Sequence, residues 1–131
     1  MGQPAAKQGD QVVATDIHII LIPSPGGPVP TPLPHPFTGK LDGSLSSDVN
    51  IEGKPAAVQG STATNTPSHV PQGGPFQKPP SNQATVLAGS TTVFINGKPA
   101  ARSGDPATTC NDPADLPAGT VVAVGTVLIG G

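Results

Sequence analysis

The feature that most restricts the fold is a short segment that the chain repeats. INGKPAARSGD at 95–105 returns as IEGKPAAVQGS at 51–61, and a truncated copy, GQPAAKQGD, occupies 2–10. The approaches to the copies match as well, residues 90–95 being answered by 44–51. The N-terminal copy has no strand ahead of it, and VGTVLIGG at 124–131 looks like the missing strand and its turn. Repeats with a period of about 45 residues usually build open solenoids or propellers. Three units with one split across the termini predict instead a closed object with pseudo-threefold symmetry.

Each unit reads as a hairpin. In LAGSTTVFINGKPAAR (87–102), Thr91, Thr92, Val93, Phe94 and Ile95 are β-branched or aromatic and fit a pleated surface. Asn96-Gly97 follows, and both residues tolerate the positive φ of a two-residue hairpin turn. Pro99 has no N–H for a ladder, so the return arm 98–102 belongs on an edge or bends away. The second copy turns at Glu52-Gly53.

Gly and Pro make up 35 of 131 residues, a composition that alone would signal disorder. They fall at matching turn positions, which favours order. With three Phe and no Trp or Tyr, the core of this one-domain chain must be Val, Ile, Leu and Ala. No 3.6-residue period survives the spacing of Gly and Pro, so the expected fold is all-β with almost no helix. Six basic residues against eight acidic, none clustered, exclude a nucleic-acid partner. The polar N-terminus carries no signal-peptide core, which predicts synthesis in the cytoplasm without a signal peptide. The longest apolar run, 17–22, is too short to span a bilayer.

Taken in order, 11–23 reads as a strand containing His18, and 23–36 as a Pro-rich loop close to polyproline II that carries His35. Residues 60–80 form a second long loop with His69, 106–117 a third with Cys110, and 119–131 the closing strand. Long loops in a compact domain are uncommon unless they work.

The nitrogen and sulfur ligands keep step with the repeat. His18 follows Pro4 by fourteen positions, His69 follows Pro55 by fourteen, and Cys110 follows Pro99 by eleven. A threefold axis would gather these three side chains, and His35 remains as a fourth. Three imidazoles and a thiolate make a closed structural zinc set, and their chemistry favours Zn²⁺ over Mg²⁺ and Ca²⁺, which prefer oxygen. Singly, a His in IHIIL is usually a packed imidazole, a loop His is solvated, and a lone Cys is a small hydrophobe. The shared offset is what sets those readings aside. One Cys rules out an intrachain disulfide, and a structural zinc contributes about 10–16 kcal/mol to folding. Two rivals stand beside this reading. One is a zinc hydrolase on His18, His35 and His69, which needs an open metal position and a base, Glu52 or Asp16. The other is a metal-free Pro-rich adaptor.

KPAAR at 98–102, preceded by GSTTVFING and followed by SGDPATTC, resembles the PAAR-repeat proteins. The motif stations are Pro99, Ala100, Ala101 and Arg102, then Pro55, Ala56 and Ala57, and Pro4, Ala5 and Ala6, with Val58 and Lys7 in place of the Arg. The resemblance implies a small conical fold of three pseudo-threefold β-hairpin repeats with a metal-pinned tip. It implies one chain capping the trimeric β-helical spike of a contractile injection system, either type VI secretion or a phage-tail-like particle. It also implies one structural Zn²⁺ per chain on His18, His35, His69 and Cys110, and no catalysis. The single domain spans 1–131, with copies around 2–18 plus 119–131, 41–69 and 87–110, and no toxin domain is expected after Gly131. Effector proteins on surface loops and transient contact with a target envelope complete the partners, with delivery outside or into the target cell. Hairpin strands 91–95 and 121–129 are expected to form the base, and the ligand loops to converge at the other end. Arg102 is expected to pair with Asp105, worth only about 0–1 kcal/mol if exposed.

Overall fold

In a computed structural model, which describes residues 2–130, the chain is all-β, and no helix occurs among the described residues. Gly131, the last residue of the expected closing strand, lies outside them. Three two-residue hairpins repeat the same geometry. They are β4 (Asn50–Ile51) with β5 (Lys54–Pro55), β8 (Phe94–Ile95) with β9 (Lys98–Pro99), and β1 (Gln3–Pro4) with β12 (Leu128–Ile129). The third joins the two ends of the chain. The turns Glu52-Gly53 and Asn96-Gly97 have φ of 51° and 82°, and 52° and 78°, the left-handed pair that lets a hairpin close in two residues.

The Pro-Ala-Ala segments that follow meet around one axis. Ala6 N–H donates to Ala101 O, Ala101 N–H to Ala57 O, and Ala57 N–H to Ala6 O, each at 3.0 Å, which closes a ring. A second turn of bonds follows the same rotation at 2.9 Å, from Ser103 to Pro4 O, Gln8 to Pro55 O and Gln59 to Pro99 O. Three backbones this close leave room for a methyl group and little more, and Ala6, Ala57 and Ala101 are fully buried. Ala5, Ala56 and Ala100 pack with Ile51, Ile95 and Ile129 in a cluster beneath them. Three residues after each basic or Val position, Asp10, Ser61 and Asp105 accept the N–H of Lys7, Val58 and Arg102 through their side chains, at 3.0, 3.0 and 2.7 Å.

Above this hub the chain forms a closed barrel in the order β10-β11-β2-β3-β6-β7. Its strands are β2 (Gln11–Ile22), β3 (Val29–Gly43), β6 (Thr62–Asn65), β7 (Gln83–Val86), β10 (Pro106–Thr109) and β11 (Leu116–Val122). Val12, Leu41, Val86, Val121, Phe37 and small residues fill it.

Four expectations need correction. Residues 91–93 are not strand, and β8 begins only at Phe94, because 90–93 turn on the Ser90 hydroxyl, which accepts the N–H of Thr92 and Val93. The closing segment is likewise broken, β11 ending at Val122 and β12 being two residues long. The second and third long loops contain strand, β6 and β10, each pairing into the barrel.

The largest correction concerns the Pro-rich stretch. It is the strand β3, paired with all of β2 from Gln11↔Lys40 to Ile22↔Val29. Pro30, Pro32, Pro34 and Pro36 alternate, so all four stand at positions whose backbone faces away from β2, where no N–H is called for. The partners confirm the register. Ile17, Ile19 and Leu21, opposite Pro34, Pro32 and Pro30, send their N–H outward to Asn111, Asp112 and Pro75. The β2–β3 hairpin thus outgrows its two counterparts and projects beyond the barrel.

Candidate metal centre

Period-two alternation puts Asp16 and His18 of β2 on the inner face of this hairpin, and the register places His35 of β3 opposite Asp16. His69 comes from the loop after β6, and Cys110 directly follows β10. Three hairpins therefore each contribute to one cluster. Ligand atoms of Asp16, His18, His69 and Cys110 all lie within 4.8 Å of one another. Asp16, His18 and Cys110 are buried, at 0, 1 and 3 % exposure, and His69 is 9 % exposed. Phe76 roofs the cluster, its ring centroid 5.8 Å from His18 and 5.6 Å from His35, while Phe37 lies 6.0 Å from His69.

The loops are held by polar side chains. Asn65 Oδ1 accepts the Thr38 N–H at 2.9 Å, which turns Nδ2 towards His69 Nδ1 at 3.3 Å. Asn82 Oδ1 accepts the His69 N–H at 2.8 Å. Asn111 Oδ1 accepts the Ile17 N–H at 2.6 Å, which ties the residue after Cys110 to β2.

Asp16 is the hub of the cluster. Its Oδ1 accepts from the Thr109 hydroxyl at 2.6 Å, and its Oδ2 from His69 Nε2 at 2.9 Å and the Cys110 thiol at 3.4 Å. Cys110 Sγ is 3.6 Å from His18 Nε2, whose Nδ1 is buried without a hydrogen-bond partner, 3.6 Å from Asp112. Burial, and then His69, holds the His18 pKa below its ordinary value, so this ring stays neutral and able to ligate. Burial and the Asp16 carboxylate push the Cys110 thiol up to about 11, so it is protonated at neutral pH.

The donor set suits a borderline-soft divalent cation. Zinc–ligand bonds of about 2.0–2.3 Å place adjacent tetrahedral donors about 3.5 Å apart, which the 3.4 and 3.6 Å separations around Cys110 match. His18, His69 and Cys110 come together, and Asp16 completes the group of four. Sequence reasoning named Asp16 only as a candidate base of the rival hydrolase. Nothing in the repeat marks it, because its partners arrive from other hairpins. His35 is adjacent, its ring centroid 5.5 Å from His18 and 5.4 Å from His69, and its Nδ1 donates to Leu33 O at 2.9 Å. That leaves Nε2 as its available ligand atom.

The motif residues lie elsewhere, in the hub. Arg102 pairs with Asp105 at 2.9 Å, mostly buried, and also donates to Gly130 O at 3.2 Å. Lys7 pairs with Asp10 at 3.2 Å and donates to Val124 O at 2.5 Å. The two cations therefore fasten the terminal segment on either side.

Residues 77–131 match the family model described as PAAR motif. The matched span holds Arg102 and Cys110, whereas the copies at Pro4 and Pro55 and all three histidines precede it. No curated protein matches the chain.

Proposed function

We propose that this chain, whose residues 77–131 match the PAAR motif model, serves at the spike tip of a contractile injection system, that one copy caps the trimeric β-helical spike and that a structural zinc stiffens its vertex. The observation that carries this reading is the closed ring of Ala6, Ala57 and Ala101, which disposes three like hairpins about a single axis. A threefold seat needs three matching contacts, and one chain supplies them only if it repeats internally. Phe94 and Leu128, at equivalent stations of β8 and β12, are 57 and 59 % exposed; Asn50 holds the third such station, and Val49 and Val127, which precede Asn50 and Leu128, are exposed as well. These apolar residues suit docking on the flat end of a β-helix.

The metal reading assigns His18, His69 and Cys110 as ligands, with His35 Nε2 as the fourth donor; with Nδ1 held by Asn65, His69 would ligate through Nε2, the metal taking the place of its contact with Asp16. Bound zinc would hold Cys110 as a thiolate and tie three loops at one point. The chain's own residues do the rest: Asn65, Asn82 and Asn111 set the loops, and Phe76 and Phe37 exclude water. Four protein donors leave no water position, so the reading carries no hydrolysis.

The test is native mass spectrometry of the chain with a spike trimer, together with elemental analysis. One chain per trimer and one zinc per chain are expected. Phe94→Asp combined with Leu128→Asp is expected to abolish capping without changing the zinc content. A stoichiometry of three chains per trimer overturns the capping model.

A further inference from the structure

We infer that Asp112 is the positioning residue for one metal donor: its carboxylate accepts a hydrogen bond from His18 Nδ1–H, which leaves Nε2 bare and facing the metal. This role rests on the metal reading above and deepens it.

An imidazole ligates through a nitrogen that carries no proton, so the other nitrogen must carry it and needs an acceptor. His35 has one in Leu33 O, 2.9 Å from its Nδ1. His18 lacks one. Its Nε2 faces the cluster, 3.6 Å from Cys110 Sγ, and its Nδ1 is buried with no hydrogen-bond partner. In front of that nitrogen, at 3.6 Å, stands Asp112 Oδ2, on a side chain only 4 % exposed. A hydrogen bond here is about 2.9 Å long, so a small shift of the ring closes the gap. The other tautomer sets two acceptors face to face, and its proton blocks the nitrogen that faces the cluster.

Asp112 is fixed for this task from both sides. Its N–H donates to Ile17 O at 2.8 Å, and its Oδ2 accepts the Ile19 N–H at 2.9 Å. The residue therefore straddles position 18 on the edge of β2, with its carboxylate beside the ring. A carboxylate oxygen has two lone pairs, so Oδ2 can accept from Ile19 and His18 together. A negative acceptor also makes the ring more basic towards a cation. The stations two after His18 and His69 hold Ile20 and Pro71, so this carboxylate is particular to the Cys110 segment. That segment brings one ligand and orients another.

The experiment reads the His18 tautomer by long-range nitrogen–proton NMR of the metal-free chain at neutral pH, and zinc affinity by competition with a chelator. The wild type is expected to hold the proton on Nδ1. In Asp112→Ala the Nε2–H form is expected to become the larger population, with zinc affinity about a hundredfold lower. Asp112→Asn keeps a neutral acceptor for the Ile19 N–H and is expected to bind zinc about tenfold more weakly. Asn111→Ala loosens the same segment by removing the bond to the Ile17 N–H, and is expected to leave the tautomer as in the wild type. The proposal is overturned if wild-type His18 carries its proton on Nε2, or if Asn111→Ala shifts the tautomer as far as Asp112→Ala does. Wild-type zinc affinity in a folded Asp112→Ala overturns it too, and if that variant does not fold, wild-type affinity in Asp112→Asn does so. A wild type that takes up no zinc refutes the metal reading alone, since the metal-free tautomer still decides the role of Asp112.

Discussion

Cys110 is where burial and metal chemistry meet. Its thiol is pushed up to about 11, so binding a metal at neutral pH must expel that proton. Zinc affinity is therefore expected to rise about tenfold per pH unit through the neutral range, read by titration against a competing chelator. Cys110→Ser is expected to lose the metal while retaining the barrel. His18 acts in the same direction in the metal-free protein. Its folded pKa lies below the unfolded value of 6.5, so the unfolded chain takes up the proton first. Stability is full above 6.5 and declines as the pH falls below it, which thermal melts across that window will show. Arg102 anchors Gly130 as well as Asp105, so Arg102→Met is expected to cost about 1–3 kcal/mol in denaturant unfolding, above the value of an exposed pair. The repeat register was enough to bring His18, His69 and Cys110 forward. Asp16 was legible only as a candidate base, since a buried carboxylate declares its role through the donors that surround it, here Thr109, His69 and Cys110.

At the scale of elements, the alternating prolines of β3 show how local propensity misleads. Proline is depleted in strands because it lacks a donor, so a run with four of them reads as a loop. Alternation turns the same property into an edge that cannot be extended. Replacing Pro32 and Pro34 by Thr returns two outward N–H groups to an exposed edge. The variant is expected to self-associate with concentration, measured by light scattering, while the wild type stays monodisperse. The Pro-Ala-Ala turns were legible as turns, but their convergence was not, because hydrogen bonds between segments 44 to 95 residues apart leave no trace in local pattern. Ala57→Leu forces three extra carbons into the closed ring and is expected to destabilise by about 1–3 kcal/mol or more, with a corresponding fall in Tm.

For the whole molecule, stability is divided between the alanine hub and the cluster beneath Phe76. The all-β class and the threefold plan could be read from the repeats and from the loss of helical period. The barrel could not, since β3, β6 and β10 come from stretches that read as loops, and only β2 and the closing segment read as strand. Removing zinc from the loaded protein with a strong chelator is expected to lower Tm by well over ten degrees, given a metal contribution of about 10–16 kcal/mol. An unchanged melt after verified metal loss would show that the hub and barrel suffice.

The unequal lengths of the hairpins have a consequence for imaging. Under the proposed capping of a threefold spike, a chain with three like feet would fit at any of three azimuths, yet only one of its arms is tall. Across a population of particles that arm will point in three directions with equal frequency. A reconstruction averaged with threefold symmetry will therefore show sharp density for the feet and a faint arm at one-third weight. Symmetry-relaxed classification will recover the arm in three classes of equal size.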